Sequence, residues 1–201
     1  MLMFCLFACK KNNPAPANPV TYPNFSTLKV GNYWVYQEYS LDNLGDTTAL
    51  GIYDSCYISK DTIINSQRYF ILTGPTPIPR SAETGSQYLR DSLDYTIDNM
   101  GNIVCASRHF GTVLSTIILY ADTIVAQMSD SGINITVAAG TYSTIDFQQT
   151  YEMTPQYAQN GSHRYRNTRY SQNIGIISET LEFYYGYPGM WERRLVRYHL
   201  N

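Results

Sequence analysis

The sequence predicts an all-β domain: an antiparallel meander that forms a lipocalin-like barrel or an incompletely closed one. Three observations carry the prediction. Short segments of alternating apolar and polar residues recur along the chain, bounded by Gly, Pro, Asn and Asp. No stretch shows the 3.6-residue period of an amphipathic helix of any length. The composition suits pleated surfaces, with 19 tyrosines and only 15% charged residues in 201 positions, because rings that are apolar at the base and wet at the tip fit half-buried strands. The 44% of hydrophobic residues can fill one core, and the length fits a single sandwich or barrel. A formal net charge of -2 with mixed signs gives no broad positive field for phosphate backbones, which argues against nucleic-acid binding.

Residues 1–9, MLMFCLFAC, are apolar, too short to span a bilayer, and lack a positive n-region. They read as the end of a secretion signal whose start lies upstream; the alternative is a cytosolic protein with an apolar N-terminus. Residues 10–21 are polar and rich in Pro and Asn, a composition that forms an extended tether rather than regular structure. A single β domain then occupies 22–201.

The predicted first strand, Tyr33 to Tyr39, carries rings on both faces, so it is covered on each side or lines a cavity. Asp42 to Asp46 has the Asx and glycine chemistry of a hairpin loop, and Ile52 to Lys60 returns. Asp61 to Gln67 turns the chain into Arg68 to Leu72. Gly74 to Ser86, with three prolines and two glycines, is the longest loop inside the domain and is expected near the mouth of a pocket. Short strands follow at Gln87 to Asp91, Tyr95 to Asp98, Ile103 to Ser107, Val113 to Tyr120 and Ile124 to Met128. Ile133 to Tyr151 is expected as the central hairpin: Ile133, Ile135 and Val137 alternate, Tyr142, Ile145 and Phe147 do so with one slip, and Gly140 supplies the backbone freedom for the bend. Met153 to Ser162 is turn-rich. His163 to Tyr170 alternates arginine with aromatic residues, Asn173 to Ile177 leads into Thr180 to Tyr184, and Tyr185 to Gly189 is a turn. Trp191 to His199 closes the domain, with Leu195 and Tyr198 inward and its arginines mostly outward.

The same strand, His163 to Tyr170, is the chemical site candidate. Arg164, Arg166 and Arg169 interleave with Tyr165 and Tyr170, and with Trp34 and Tyr36 of the first strand they could hold a small anionic molecule or a glycan by charge-assisted hydrogen bonds and stacking. An exposed strand whose arginines lie over aromatic neighbours is the other reading. No catalytic residue emerges. His109, His163 and His199 are far apart, no G-x-S-x-G elbow, P-loop or G-x-G-x-x-G is present, and Asp146, Glu152, Glu179, Glu182 and Glu192 read as a solvated face. No Cys or His pair has metal-ligand spacing, so neither metal nor cofactor is assigned. Cys56 and Cys105 can pair in an oxidising compartment, where a bridge across so long a loop is worth about 2–4 kcal/mol, or stay as buried free thiols.

Leu6-Phe7-Ala8-Cys9 resembles a lipobox, with Cys9 as the cysteine that is acylated and becomes the mature N-terminus. Together with Val30 to Tyr36 (VGNYWVY), Ala139 to Tyr142 (AGTY), Asn173 to Ile177 (NIGII) and Arg193 to Tyr198 (RRLVRY), the chain resembles a broad group of uncharacterised exported lipoproteins of Bacteroidota-type bacteria. The resemblance implies a cell-envelope location with a lipid anchor, on the periplasmic or the outer-membrane face, and brings no reaction or ligand. Asp46-Thr47-Thr48, Asp61-Thr62-Ile63, Asp91-Ser92-Leu93 and Asp122-Thr123-Ile124 look like that group's O-glycosylation signal, although aspartate at a strand start also serves to satisfy turn amides. The functional expectation is a non-catalytic envelope binding module for a small molecule or glycan. A structural lipoprotein docking onto an envelope protein partner is the alternative, and an envelope hydrolase comes third.

Overall fold

The computed structural model describes residues 21–75, 84–159, 161–181 and 189–201. The predicted lipobox with Cys9, the tether up to residue 20, the centre of the Gly74 to Ser86 loop and the turn before Gly189 lie outside them.

Twelve strands form one antiparallel sheet. They are β1 (Tyr33–Leu41), β2 (Thr47–Ile64), β3 (Gln67–Pro75), β4 (Thr84–Ser92), β5 (Tyr95–Asp98), β6 (Ile103–Ala106), β7 (Val113–Ile118), β8 (Asp122–Val137), β9 (Gly140–Met153), β10 (His163–Ser171), β11 (Gly175–Thr180) and β12 (Met190–His199). The spatial order is β6-β5-β4-β3-β2-β1-β12-β11-β10-β9-β8-β7. The chain thus starts mid-sheet, runs out to one edge at β6, crosses to the other edge at β7, and returns until β12 pairs with β1. The result is the predicted all-β meander in its incompletely closed form, a nearly closed barrel with one unsealed seam between β6 and β7.

Local chemistry fixes the corners. Asp42 Oδ1 accepts from the amides of Leu44 and Asp46 at 2.8 and 3.0 Å, and Asp98 Oδ1 does the same for Met100 and Asn102 at 2.9 and 2.8 Å. The β2–β3 hairpin turns on Asn65 and Ser66, both at positive φ, the pattern of a turn whose twist matches its strands. At the seam a few contacts replace a ladder. Gly111 N donates to Met128 O at 2.8 Å, and Tyr170 Oη donates to Val104 O at 3.1 Å.

The elements are longer than the sequence suggests. β2 continues to Ile64, because backbone pairing with β3 holds polar residues that alternation leaves unmarked. Ile124 to Met128 and Ile133 to Val137 are one strand, β8, interrupted by register shifts between Met128 and Ile133; bulges there absorb the polar run that looked like a break. Gly140, at φ 139°, follows the turn as predicted. Two buried clusters form the core, one around Trp34, Tyr36, Cys56, Ile58, Val137, Ile177 and Leu195, the other around Cys105, Ala106, Ala126, Met128, Ile145, Phe147 and Tyr170. The thiols sit in different clusters and both are free, so of the two states that the sequence left open the structure has the buried free thiols and no Cys56–Cys105 bridge.

Candidate functional site

Inside the barrel lies a cavity of about 400 Å³, lined from every side of the sheet except its β7–β8 end. Strand alternation decides which residues reach it. β1 sends in Trp34 and Tyr36, β2 Cys56 and Ile58, β9 Phe147 and Gln149, and β10 Arg166, Thr168 and Tyr170. The segment before β1 contributes Ser26 and Leu28, and the flanks of the β3–β4 connection contribute Gly74, Pro75, Gly85 and Ser86.

The strand registers sort this lining into layers. Thr168 pairs with Glu179, Glu179 with Arg193, and Arg193 with Glu38, a polar row across β10, β11, β12 and β1. Two residues along β10 and β9, Arg166 pairs with Gln149. In the opposite direction Tyr170 pairs with Ile145 and Ile176, and Tyr36 with Leu195, followed by Trp34 one pleat further along β1. On the β9–β12 and β1 side the lining is therefore polar at one end and apolar at the other, while Ser26, Ser86, Gln87 and Thr96 line the cavity elsewhere.

Arg193 is 7% exposed and is held on all sides. Its Nε and Nη2 both donate to Glu179 Oε2, at 2.9 and 2.5 Å. Its Nη1 donates to Cys56 Sγ at 3.6 Å and lies 4.0 Å from Asp54 Oδ2, and the guanidinium sits 5.0 Å over the Tyr36 ring. Burial opposes the charge, yet the Glu179 carboxylate outweighs it and keeps the Arg193 pKa above its ordinary value. Burial pushes the Cys56 thiol up, against the pull of Arg193, and raises Asp54 likewise. The phenols of Tyr36 and Tyr170 are raised well above their usual value, chiefly by burial, and both donate to backbone carbonyls, Ile176 O and Val104 O. They are therefore neutral walls of the cavity.

Of the residues singled out in the sequence, Trp34, Tyr36, Arg166 and Tyr170 meet in this cavity. The other three do not join them. Arg164 is buried and donates to Gly189 O at 2.8 Å. Arg169 alternates to the outer face, where it donates to Asp130 at 3.0 Å and lies 3.6 Å from Asp146. Tyr165 is exposed. The three arginines thus stand in three different surroundings on one strand. Arg193 and Glu179 were missed, being read as outward and as solvated face. A signal for Arg193 existed: it stands two residues from Leu195, already placed inward, and period two puts both on one face.

Among the described residues no group of three or more His, Cys, Asp or Glu could hold a metal ion. None of the histidines lines the cavity; His109 contacts Asp94 and stacks on Tyr95, His163 bonds Ser162, and His199 bonds Asn201. Chemically the site can enclose an apolar body and offer hydrogen bonds at one end.

No protein-family model and no curated protein matches the chain. Two solved structures share its fold. A protein predicted to be exported, with a YmcC-like fold, from Bacteroides fragilis aligns at a TM-score of 0.55 and 11% identity, over 88% of this chain and 99% of that one. A predicted lipoprotein from Parabacteroides distasonis aligns at 0.50 and 12%, over 90% and 100%. At such identities the likeness is one of fold alone.

Proposed function

We propose that this chain is a non-catalytic lipoprotein of the bacterial cell envelope whose barrel binds a small molecule in its interior. The observation that carries the binding role is the cavity of about 400 Å³, within the range of small-molecule sites, with largely apolar walls and a limited set of polar groups that include Gln149, Arg166 and Thr168. Its walls favour a ligand with an apolar body over a glycan, which would need polar partners along its whole length. The lining also favours binding over hydrolysis. Glu179 is the one carboxylate among the described lining residues, and its Oε2 is taken up by two hydrogen bonds from Arg193 rather than turned free into the cavity. The envelope location rests on the Cys9 lipobox and on the names of the two fold relatives, one called exported and the other a lipoprotein. Acylated Cys9 would join the domain to a membrane through the Pro- and Asn-rich tether.

Native mass spectrometry of the full chain, purified gently from its own envelope, tests the binding role. A reproducible added mass that disappears on denaturation supports it, and a clean apo mass removes it. Cys9→Ala tests the anchor, since it should move the protein from the membrane to the soluble fraction.

The exposed apolar edge favours a second reading, docking onto an envelope partner. Ile118 is 80% and Tyr120 81% exposed, at the end of β7, an edge strand that pairs only with β8. Ile118→Lys should release such a partner from a crosslinked complex and leave ligand mass unchanged.

A further inference from the structure

We propose that the ligand is an amphiphile with an apolar body and a single carboxylate head, the head held by Arg166 and the body lying against Trp34, Tyr36 and Phe147. The inference rests on the binding role above and adds the class of ligand.

The layering of the interior carries it. Arg193 cannot be the head's partner, because Glu179 occupies its Nε and Nη2 and Cys56 and Asp54 face its Nη1. Arg166 is different. Its Nε donates to Thr180 O at 3.3 Å, while its Nη2 stands 4.0 Å from Glu179 Oε1, beyond hydrogen-bond distance. The terminal nitrogens are thus a guanidinium fork with donors to spare on the wall of a cavity. Its neighbours suit a head group: Gln149 is its cross-strand partner, Thr168 lies two residues along β10, and both line the cavity. No described residue hydrogen-bonds to either side chain. A planar carboxylate matches the fork and the amide beside it. A guanidinium whose charge is already shared with Glu179 at 4.0 Å suits a head of one negative charge at most, whereas a doubly charged phosphate head would meet that carboxylate at close range.

Below this end the walls turn apolar. Tyr170 stands four residues from Arg166 on β10, roughly 13 Å along the strand; Thr168, with Glu179 and Arg193 across the sheet, lies between them by register, and Phe147, Leu28, Ile58 and Ile176 also line the cavity. An extended acyl chain of medium length fits that distance. Tyr36 and Tyr170 spend their hydroxyls on backbone carbonyls and so present ring rather than polar edge to the body.

The test is isothermal titration of the full chain with dodecanoate, dodecanol and dodecyltrimethylammonium, which share the body and differ in the head. Dodecanoate should bind roughly ten- to a hundredfold more tightly than dodecanol, the range for a hydrogen bond to a charged group, and the cation should be weakest. Arg166→Gln should abolish the preference for dodecanoate over dodecanol, whereas Arg169→Gln, on the outer face, should keep it. Equal binding of all three heads by the wild type, or a preference that survives Arg166→Gln, overturns the carboxylate assignment and leaves the cavity's binding role standing. Failure of every probe to bind removes both. The comparison of heads on the wild type decides the matter even where Arg166→Gln folds poorly.

Discussion

Arg193 and Glu179 face each other as directly paired residues of β12 and β11, and two guanidinium nitrogens of the one converge on a single carboxylate oxygen of the other at 2.9 and 2.5 Å. Both side chains are nearly out of solvent, at 8% and 14% exposure. A buried pair of this kind is costly to break from one side, because the remaining charge keeps its burial and loses its partner. Glu179→Ala should lower stability by about 3 kcal/mol, read as a shift in the urea midpoint at unchanged m. The double variant Glu179→Leu with Arg193→Met should recover most of that loss. If the double is as damaged as the single, the pair is not the source of the effect.

Asp54 gives the stability a pH dependence of definite sign. Burial raises its carboxyl, against the opposing influence of Arg193 and a hydrogen bond with Glu38. The native state therefore holds this proton to higher pH than the unfolded chain does. Stability is greatest below the ordinary value of 3.8 and falls as pH rises from there to the native pKa, after which the loss is complete. Asp146, raised chiefly by burial, acts in the same direction. Urea midpoints measured from about pH 4 to pH 7 should fall less steeply for Asp54→Asn than for the wild type. Identical slopes would mean that another group titrates.

Gly74 is required by close approach. A Cβ on it would stand 2.6 Å from Cys56 Sγ and 3.2 Å from Cys56 Cα, so the neighbouring strand has no room to give. Gly74→Ala should cost about 1–3 kcal/mol by overpacking. Cys56→Ala in the same chain removes the sulfur and leaves the backbone contact, so it should restore part of the loss. A double-mutant cycle by thermal or urea unfolding reads the coupling, and strict additivity would contradict the contact.

The two thiols differ in what reaches them. Burial pushes both up, which leaves little thiolate to react at neutral pH. Iodoacetamide should label neither in the native protein and both in urea. Cys56 lines the main cavity, whereas Cys105 lines a smaller one beside the N-terminal segment at Tyr22 and Phe25. At intermediate urea a bound amphiphile should slow labelling of Cys56 more than of Cys105, as peptide mass mapping would show. Equal protection of the two sites would place the ligand elsewhere.

Much of the barrel was legible in the residues. The Asx loop at Asp42, the bend at Gly140, the aromatic first strand and the closing strand all stand where local chemistry placed them, because turns and alternation are short-range. Strand length was less legible. β8 looks like two strands because the polar run around Ser131 and Gly132 breaks its alternation, and only cross-strand pairing with β9 shows that the ladder continues through the bulges. The candidate site residues were scattered in place. Arg164, Arg166 and Arg169 read alike in one dimension. In the barrel, alternation turns Arg169 outward, and position along β10 sends Arg164 to the Gly189 carbonyl, leaving Arg166 alone at the cavity.

The sequence by itself determined the class of fold, since period-two patterning, turn residues and a tyrosine-rich composition leave a helical or disordered chain no way to bury these side chains. It also marked the alternating apolar residues of the Ile133 to Tyr151 hairpin and Leu195 of the last strand as inward. The tertiary structure alone decided how the strands line up across the sheet, and that alignment set Arg193 against Glu179 and Arg166 beside Gln149 in a cavity shared by strands distant along the chain. Register is a property of pairs of strands far apart in sequence. No local pattern records it, and a buried charge is identified only when its partner is in view.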